Sequence, residues 1–178
     1  MAPLLVVTGP PGAGKSTVAS VLADRFEPSV VVEGDAFFAF LARGALPPWL
    51  PESNAQNAIV TEAAASAAGR YALGGYVTLY DGVVGPWFLP TFARATGLSS
   101  LAYVVLMPSV ERCVERVQTR SDHGFSDEDA TRKMHQEFAN AKVDKRHLLA
   151  DSTGSVVDVA DRVVAALDIG ALTYATPT

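Results

Sequence analysis

The stretch that decides the fold is Leu4-Leu5-Val6-Val7-Thr8-Gly9-Pro10-Pro11-Gly12-Ala13-Gly14-Lys15-Ser16-Thr17. Leu4 to Val7 is a continuous apolar, partly β-branched run, which suits a strand buried on both faces of a parallel sheet. Gly9 to Ser16 satisfies the pattern G-x-x-x-x-G-K-[ST]. From Lys15 to Phe26 the apolar side chains Val18, Val21, Leu22 and Phe26 recur at helical spacing. A glycine-rich turn between a strand and a helix makes an anion site. Across Gly9, Gly12, Ala13 and Gly14 the backbone can curl so that successive N–H groups point inward, and the following helix adds the positive end of its dipole. Lys15 supplies a point charge for β and γ phosphates. The Ser16 hydroxyl is placed to ligate Mg2+, and Thr17 can reach an α phosphate.

Working outward, Val30 to Val32 is a second buried run that completes a βαβ unit. The pattern then predicts a helix from Ala36 to Arg43 closed by Gly44, and an alanine-rich helix from about Ser53 to Gly69. Strands follow at Tyr76 to Tyr80 and Leu101 to Met107. Ser109 can cap the next helix, and Ser126-Asp127-Glu128-Asp129 starts another that Ala130 to His147 carries onward. A short strand near Leu148 to Asp151 precedes an amphipathic helix from Val156 to Leu167. This alternation predicts an α/β, three-layer, doubly wound and mostly parallel sheet in a single domain spanning 1–178. The proline-dense run Leu46-Pro47-Pro48-Trp49-Leu50-Pro51 predicts an acceptor-side loop over about 44–56. Gly124 predicts a mobile lid over about 120–135.

Composition narrows the partners. The 178 residues are 49% hydrophobic, enough for a substantial core, and carry a net charge of −5. No bulk positive field is available for nucleic acid, so any anion must be held locally. The single cysteine, Cys113, excludes an internal disulfide and a cysteine-based zinc cluster, and His123, His135 and His147 lack the spacing of a metal pair. Neither a signal peptide nor a membrane-spanning run is visible, so the chain reads as cytoplasmic, as a monomer or homodimer.

Two carboxylates stand at predicted strand ends. Asp35, in Glu33-Gly34-Asp35, is a candidate general base for a hydroxyl attacking a γ phosphate, or the cap of the next helix. Asp81 ends Val77-Thr78-Leu79-Tyr80-Asp81 and serves either Mg2+ or an acceptor. The loop from Gly82 to Phe88 brings Trp87 to the same crevice, where it lines a pocket or packs in the core. Arg112, Arg116 and Arg120 repeat every four residues. They form either a solvated face or a row directed at a base and phosphates, with Arg132 beyond.

These motifs resemble those of the P-loop small-molecule kinases, including gluconate kinase, shikimate kinase and chloramphenicol phosphotransferase. The resemblance spans most of the chain and implies a P-loop nucleoside-triphosphate hydrolase fold of the nucleotide kinase-like type. It further implies ATP and Mg2+ as cofactors and a small-molecule hydroxyl as acceptor. Residue by residue, it implies that Asp35 holds the acceptor or acts as base, and that Asp81 and Gly82 bind acceptor or metal. Arg116 and Arg120 would close over ATP, and Thr153, in Asp151-Ser152-Thr153-Gly154, would lie in the adenine loop. Where sugar kinases carry polar side chains, this chain has Ala36-Phe37-Phe38-Ala39-Phe40. Phe38, Trp49 and Trp87 therefore point to a larger, partly apolar, antibiotic- or metabolite-like acceptor. A nucleotide kinase and a nucleotide-binding switch protein are the alternatives.

Overall fold

The computed structural model describes residues 4–119, 127–150 and 154–178. The chain runs β1 (Leu4–Thr8), α1 (Lys15–Ala23), β2 (Ser29–Glu33), α2 (Gly34–Ala39), α3 (Asn54–Leu73), β3 (Val77–Asp81), α4 (Leu89–Ala95), β4 (Ser100–Leu106), α5 (Val110–Thr119), α6 (Glu128–Asn140), β5 (Leu148–Leu149), α7 (Val156–Asp168) and β6 (Thr173–Ala175). The sheet is ordered β2-β3-β1-β4-β5. Every pair in that path is parallel, and β6 joins β4 antiparallel.

All five residues of β1 are buried because alternate side chains enter different cores. Leu4 and Val6 meet Ala64, Ala65, Ala68 and Phe92 of α3 and α4, whereas Leu5 and Val7 meet Val18, Leu22, Val159 and Val163 of α1 and α7. Burying each such large aliphatic side chain contributes about 1.5 to 3 kcal/mol, and the helices on both faces make the three layers expected of a doubly wound sheet.

Register decides where chemistry is possible. Val7 pairs with Asp81, and Asp81 pairs with Glu33. The carboxyl ends of β1, β3 and β2 therefore finish level, and the loops beginning at Gly9 and Gly82 leave the same edge of the sheet as α2, which begins at Gly34.

Several boundaries differ from the sequence expectation. β2 is an edge strand, so only Val32 of its valines is fully buried. α1 stops at Ala23 in tight turns closed by Arg25 N–H to Leu22 O and Phe26 N–H to Ala23 O. α2 begins at Gly34, directly after β2, and ends at Ala39 rather than Arg43. Residues 54–56 of the expected acceptor-side loop are already helical, preceded by a 3-10 turn at Pro51–Ser53. α6 ends at Asn140 instead of His147 because Lys142 takes a left-handed conformation (φ 48°) that no helix continues through. The Asp144 side chain then caps a separate turn at Lys145–His147. α4 and β6 were not expected. The closing helix starts where expected, at Val156, held by reciprocal hydrogen bonds between Ser155 and Asp158.

Gly69 in α3 faces α4, and a Cβ there would overlap the carbonyl oxygen of Thr96. Glycine to alanine inside a helix ordinarily gains about 1 kcal/mol. Here backbone overlap reverses the sign, and Gly69→Ala is expected to destabilise the fold by about 1 to 3 kcal/mol. Thermal unfolding should show a melting temperature lower by about 2 to 4 °C per kcal/mol; a variant melting above the wild type would contradict the α3–α4 packing.

Candidate functional site

The phosphate loop is shaped by three glycines with positive φ: Gly9 (144°), Gly12 (77°) and Gly14 (94°). Two are also held by neighbours. A Cβ on Gly9 would strike the carbonyl oxygen of Leu106 at the end of β4, and one on Gly12 would strike that of Cys113 in α5. The loop is thus clamped between β4 and α5 and closed by Ala13 N–H donating to Pro10 O at 3.1 Å. Lys15 folds back over it, its Nζ donating to Pro10 O at 3.3 Å.

Two cavities flank this loop. The larger, about 680 Å3, is lined by Gly12, Lys15, Ser16 and Asp81 together with Asp35, Phe38, Trp49 and Trp87. The smaller, about 210 Å3, is lined by Ala13, Gly14, Thr17, Val18, Leu106, Arg116, Gly154, Val156 and Val159. Gly9 and Gly82 line neither cavity. Gly82 packs on the ring of Tyr80, which occupies the space a Cβ would need.

Asp35 lies in the first turn of α2, whose cap position is Glu33, so it is not the helix cap. Asp81 is buried, and that burial, more than its neighbours, raises its carboxyl above the usual carboxylate range. Asp35 and Glu33 add to the rise, whereas hydrogen bonding from Ser16 and the Lys15 charge pull it down. Tyr80, adjacent to Asp81 in the chain, has its phenol raised by burial first, with Asp35 and Asp81 adding.

The loop after β3 is pinned at Val84, whose N–H donates to Thr8 Oγ1 and whose carbonyl accepts from the Tyr103 hydroxyl, both at 2.8 Å. Trp87 lies over Gly85 and packs against Phe138 of α6 at 5.2 Å between ring centroids, with 43% of its surface exposed. It lines the larger cavity and stays outside the core.

The arginines separate. Arg116 turns inward and donates to Gly12 O at 3.2 Å and Ala13 O at 3.3 Å, bracing the phosphate loop while lining the smaller cavity. Arg112 is exposed and lines neither cavity. Arg132 is engaged by Glu128 at 2.9 Å on an exposed face and does not line either cavity. α6 instead offers Ala130, Lys133, Met134 and Glu137 to the larger cavity. Arg120, Thr153 and residues 120–126 of the lid expected over about 120–135 lie outside the described residues.

Several lining residues were missed from sequence, among them Asn54, Asn57, Thr61, Tyr80, Lys133 and Glu137. The polar residues of α3 carried a signal: they interrupt an alanine-rich helix at helical spacing.

Among the described residues, no group of three His, Cys, Asp or Glu side chains forms a metal cage, and no helix is long and apolar enough to cross a membrane. A family model described as an AAA domain matches residues 4–141. The fold is similar to that of a sugar kinase from a Janibacter species, 19% identical, with a TM-score of 0.71 covering 96% of this chain and 97% of that one. It is also similar to the tunicamycin resistance protein of Deinococcus radiodurans, 17% identical, covering 100% of each chain with a TM-score of 0.69. A third similar structure is an APS kinase of Mycobacterium tuberculosis in complex with AMPPNP and APS, 18% identical, covering 94% and 98% at a TM-score of 0.68. No match was found among curated protein sequences. The matched segment takes in the phosphate loop, both candidate carboxylates and all of α6; this chain belongs to the AAA domain family and has the fold of the P-loop small-molecule kinases.

Proposed function

We propose that this protein is an ATP- and Mg2+-dependent phosphotransferase that moves the γ-phosphoryl group to a hydroxyl of a small molecule. The observation that carries this reading is the continuity of the larger cavity, which joins Lys15 and Ser16 of the phosphate loop to Asp35, Phe38, Trp49 and Trp87. A nucleotide with its base in the smaller cavity, against Arg116, would run its phosphates over Gly12, Gly14 and Lys15 toward that acceptor space. The likeness to a kinase crystallised with AMPPNP agrees with this direction.

Asp35 is proposed to take the proton of the acceptor hydroxyl as its oxygen attacks the γ phosphorus. The bond from that phosphorus to the ADP oxygen breaks, and ADP leaves with Lys15 and the loop N–H groups balancing its charge. An acceptor hydroxyl held beside Asp35 in a pre-shaped pocket competes with water for the γ phosphorus.

The residues fit Mg2+. This ion keeps several waters and takes few protein ligands beside substrate phosphates, so one hydroxyl and one carboxylate suffice. Ser16 and Asp81 are that pair, and bound there the ion would neutralise phosphate charge. Trp49, Trp87 and Phe38 suit a partly apolar acceptor, and the similar tunicamycin resistance protein keeps an antibiotic-like acceptor in view.

Asp35→Asn is expected to leave ATP affinity intact while turnover falls by about 10² or more. A fluorescent nucleotide titration beside an ADP-release assay reads both, and undiminished turnover would remove Asp35 as the base. Asp81→Asn tests the electrostatics. The folded state holds the Asp81 proton to higher pH than the unfolded chain does, so its contribution to stability is present below about pH 4 and lost as pH rises. The nucleotide-free variant should therefore melt above the wild type at pH 8, with the difference vanishing near pH 4; an unchanged or lower melting temperature at pH 8 would contradict this.

A further inference from the structure

The acceptor half of the larger cavity has two chemically different kinds of lining. Among its polar residues, Tyr80 and Thr61 are 4% and 7% exposed, line the cavity, and make no side-chain hydrogen bond to another described residue. Neither hydroxyl is sealed away from the cavity: among the described residues the one buried side-chain polar atom without a partner is Asn57 Oδ1. Asn54 stands two turns before Thr61 on the same face of α3. Between them Asn57 donates to Pro48 O at 2.7 Å and Ser53 Oγ at 3.0 Å, bracing the loop that carries Trp49. Deeper along α3 this face is alanine (Ala64, Ala65, Ala68), so polarity appears only where the helix meets the cavity.

The position of Tyr80 is enforced. A Cβ on Gly34 would overlap its hydroxyl, and one on Gly82 would press on its ring, while Phe92 packs edge-on behind it at 4.6 Å. Three neighbouring positions thus hold one phenol at the cavity floor beside Asp35. Much of the remaining lining is apolar: Phe38, Trp49, Leu50, Val83, Trp87 and Met134.

Charge excludes another class. Asp35 and Glu137 line the acceptor half, and its cation is Lys133, whose Nζ donates to Trp49 O at 3.5 Å. Asp35 and Glu137 would repel a carboxylate or phosphate on an acceptor placed beside them, and the described lining of this cavity includes no arginine.

Resting on the kinase reading above, we propose that the acceptor is an uncharged, polyhydroxylated ring compound, its hydroxyls bonded by Thr61, Tyr80 and Asn54 while its carbon face lies on Trp49, Trp87 and Phe38. A site built to hydrogen-bond substrate hydroxyls discriminates strongly, because its buried polar groups go unpaired with the wrong ligand.

Intrinsic fluorescence suits the test, since the chain has two tryptophans and both line this cavity. The protein loaded with Mg2+ and AMPPNP would be titrated with myo-inositol and methyl α-D-glucopyranoside as neutral probes and with D-gluconate and shikimate as carboxylates. A saturable emission change with a neutral probe is expected. Tyr80→Phe and Thr61→Val should each weaken that binding by about tenfold, at unchanged melting temperature and nucleotide affinity. Tighter binding of the carboxylates, no saturable change with either neutral probe, or neutral binding untouched by both substitutions overturns the proposal. With ATP in place of AMPPNP the two readings separate. Phosphorylation of carboxylates alone keeps the kinase and overturns this acceptor class; neutral binding without any phosphorylated product supports the class and removes the kinase.

Discussion

Parallel pairing of β1 with β3 and of β3 with β2 sets Val7 beside Asp81 and Asp81 beside Glu33, and the chemistry of the chain depends on the edge this creates. Strands that end level send their loops into one crevice. A slip of a single residue in the β3 register would turn Asp81 to the other face of the sheet and carry Tyr80 with it. Leu79 of β3 fills one core and Tyr80 the other, so that slip would exchange a leucine and a tyrosine between two packed cores and is opposed by both.

An acidic chain can still hold a triphosphate because the positive potential is concentrated in backbone and in few side chains. The positive φ of the loop glycines suits a backbone that turns N–H groups toward an anion, Lys15 adds a cationic side chain, and α1 adds its N-terminal dipole. Arg116 uses its guanidinium chiefly to hold the Gly12 and Ala13 carbonyls. That bracing keeps loop carbonyls occupied on the outer side while N–H groups remain for anions. The carboxylates divide in the same way: Asp81 is buried beside Ser16, whereas Asp35 sits exposed at the start of α2.

Local chemistry was legible in the sequence. The phosphate loop, β1, the start of α7 and the capped start of α6 were all readable, since each depends on a few adjacent residues such as Ser155 and Asp158 or Asp127 and Ala130. What depends on distant contacts was not. α6 stops at a left-handed Lys142 with no glycine to announce it, and α2 is set by the meeting of Gly34 with Tyr80. Gly82, which the resemblance assigns to acceptor or metal, lies against that same ring, with no space for a Cβ. Arg132 had the right charge and the wrong side of its helix. The polar wall of α3 became meaningful only when the fold turned Asn54 and Thr61 toward Asp35.

If the larger cavity brings the γ phosphate and an alcohol together, transfer goes to carbon-bound oxygen and not to water. The most direct measurement incubates the wild-type protein with γ-18O-labelled ATP, Mg2+ and a mixture of neutral hydroxylated compounds, then compares ADP with labelled products by mass spectrometry. The expected result is one compound that gains a single labelled phosphoryl group in an amount equal to the ADP formed. ADP matched only by labelled inorganic phosphate would contradict the account.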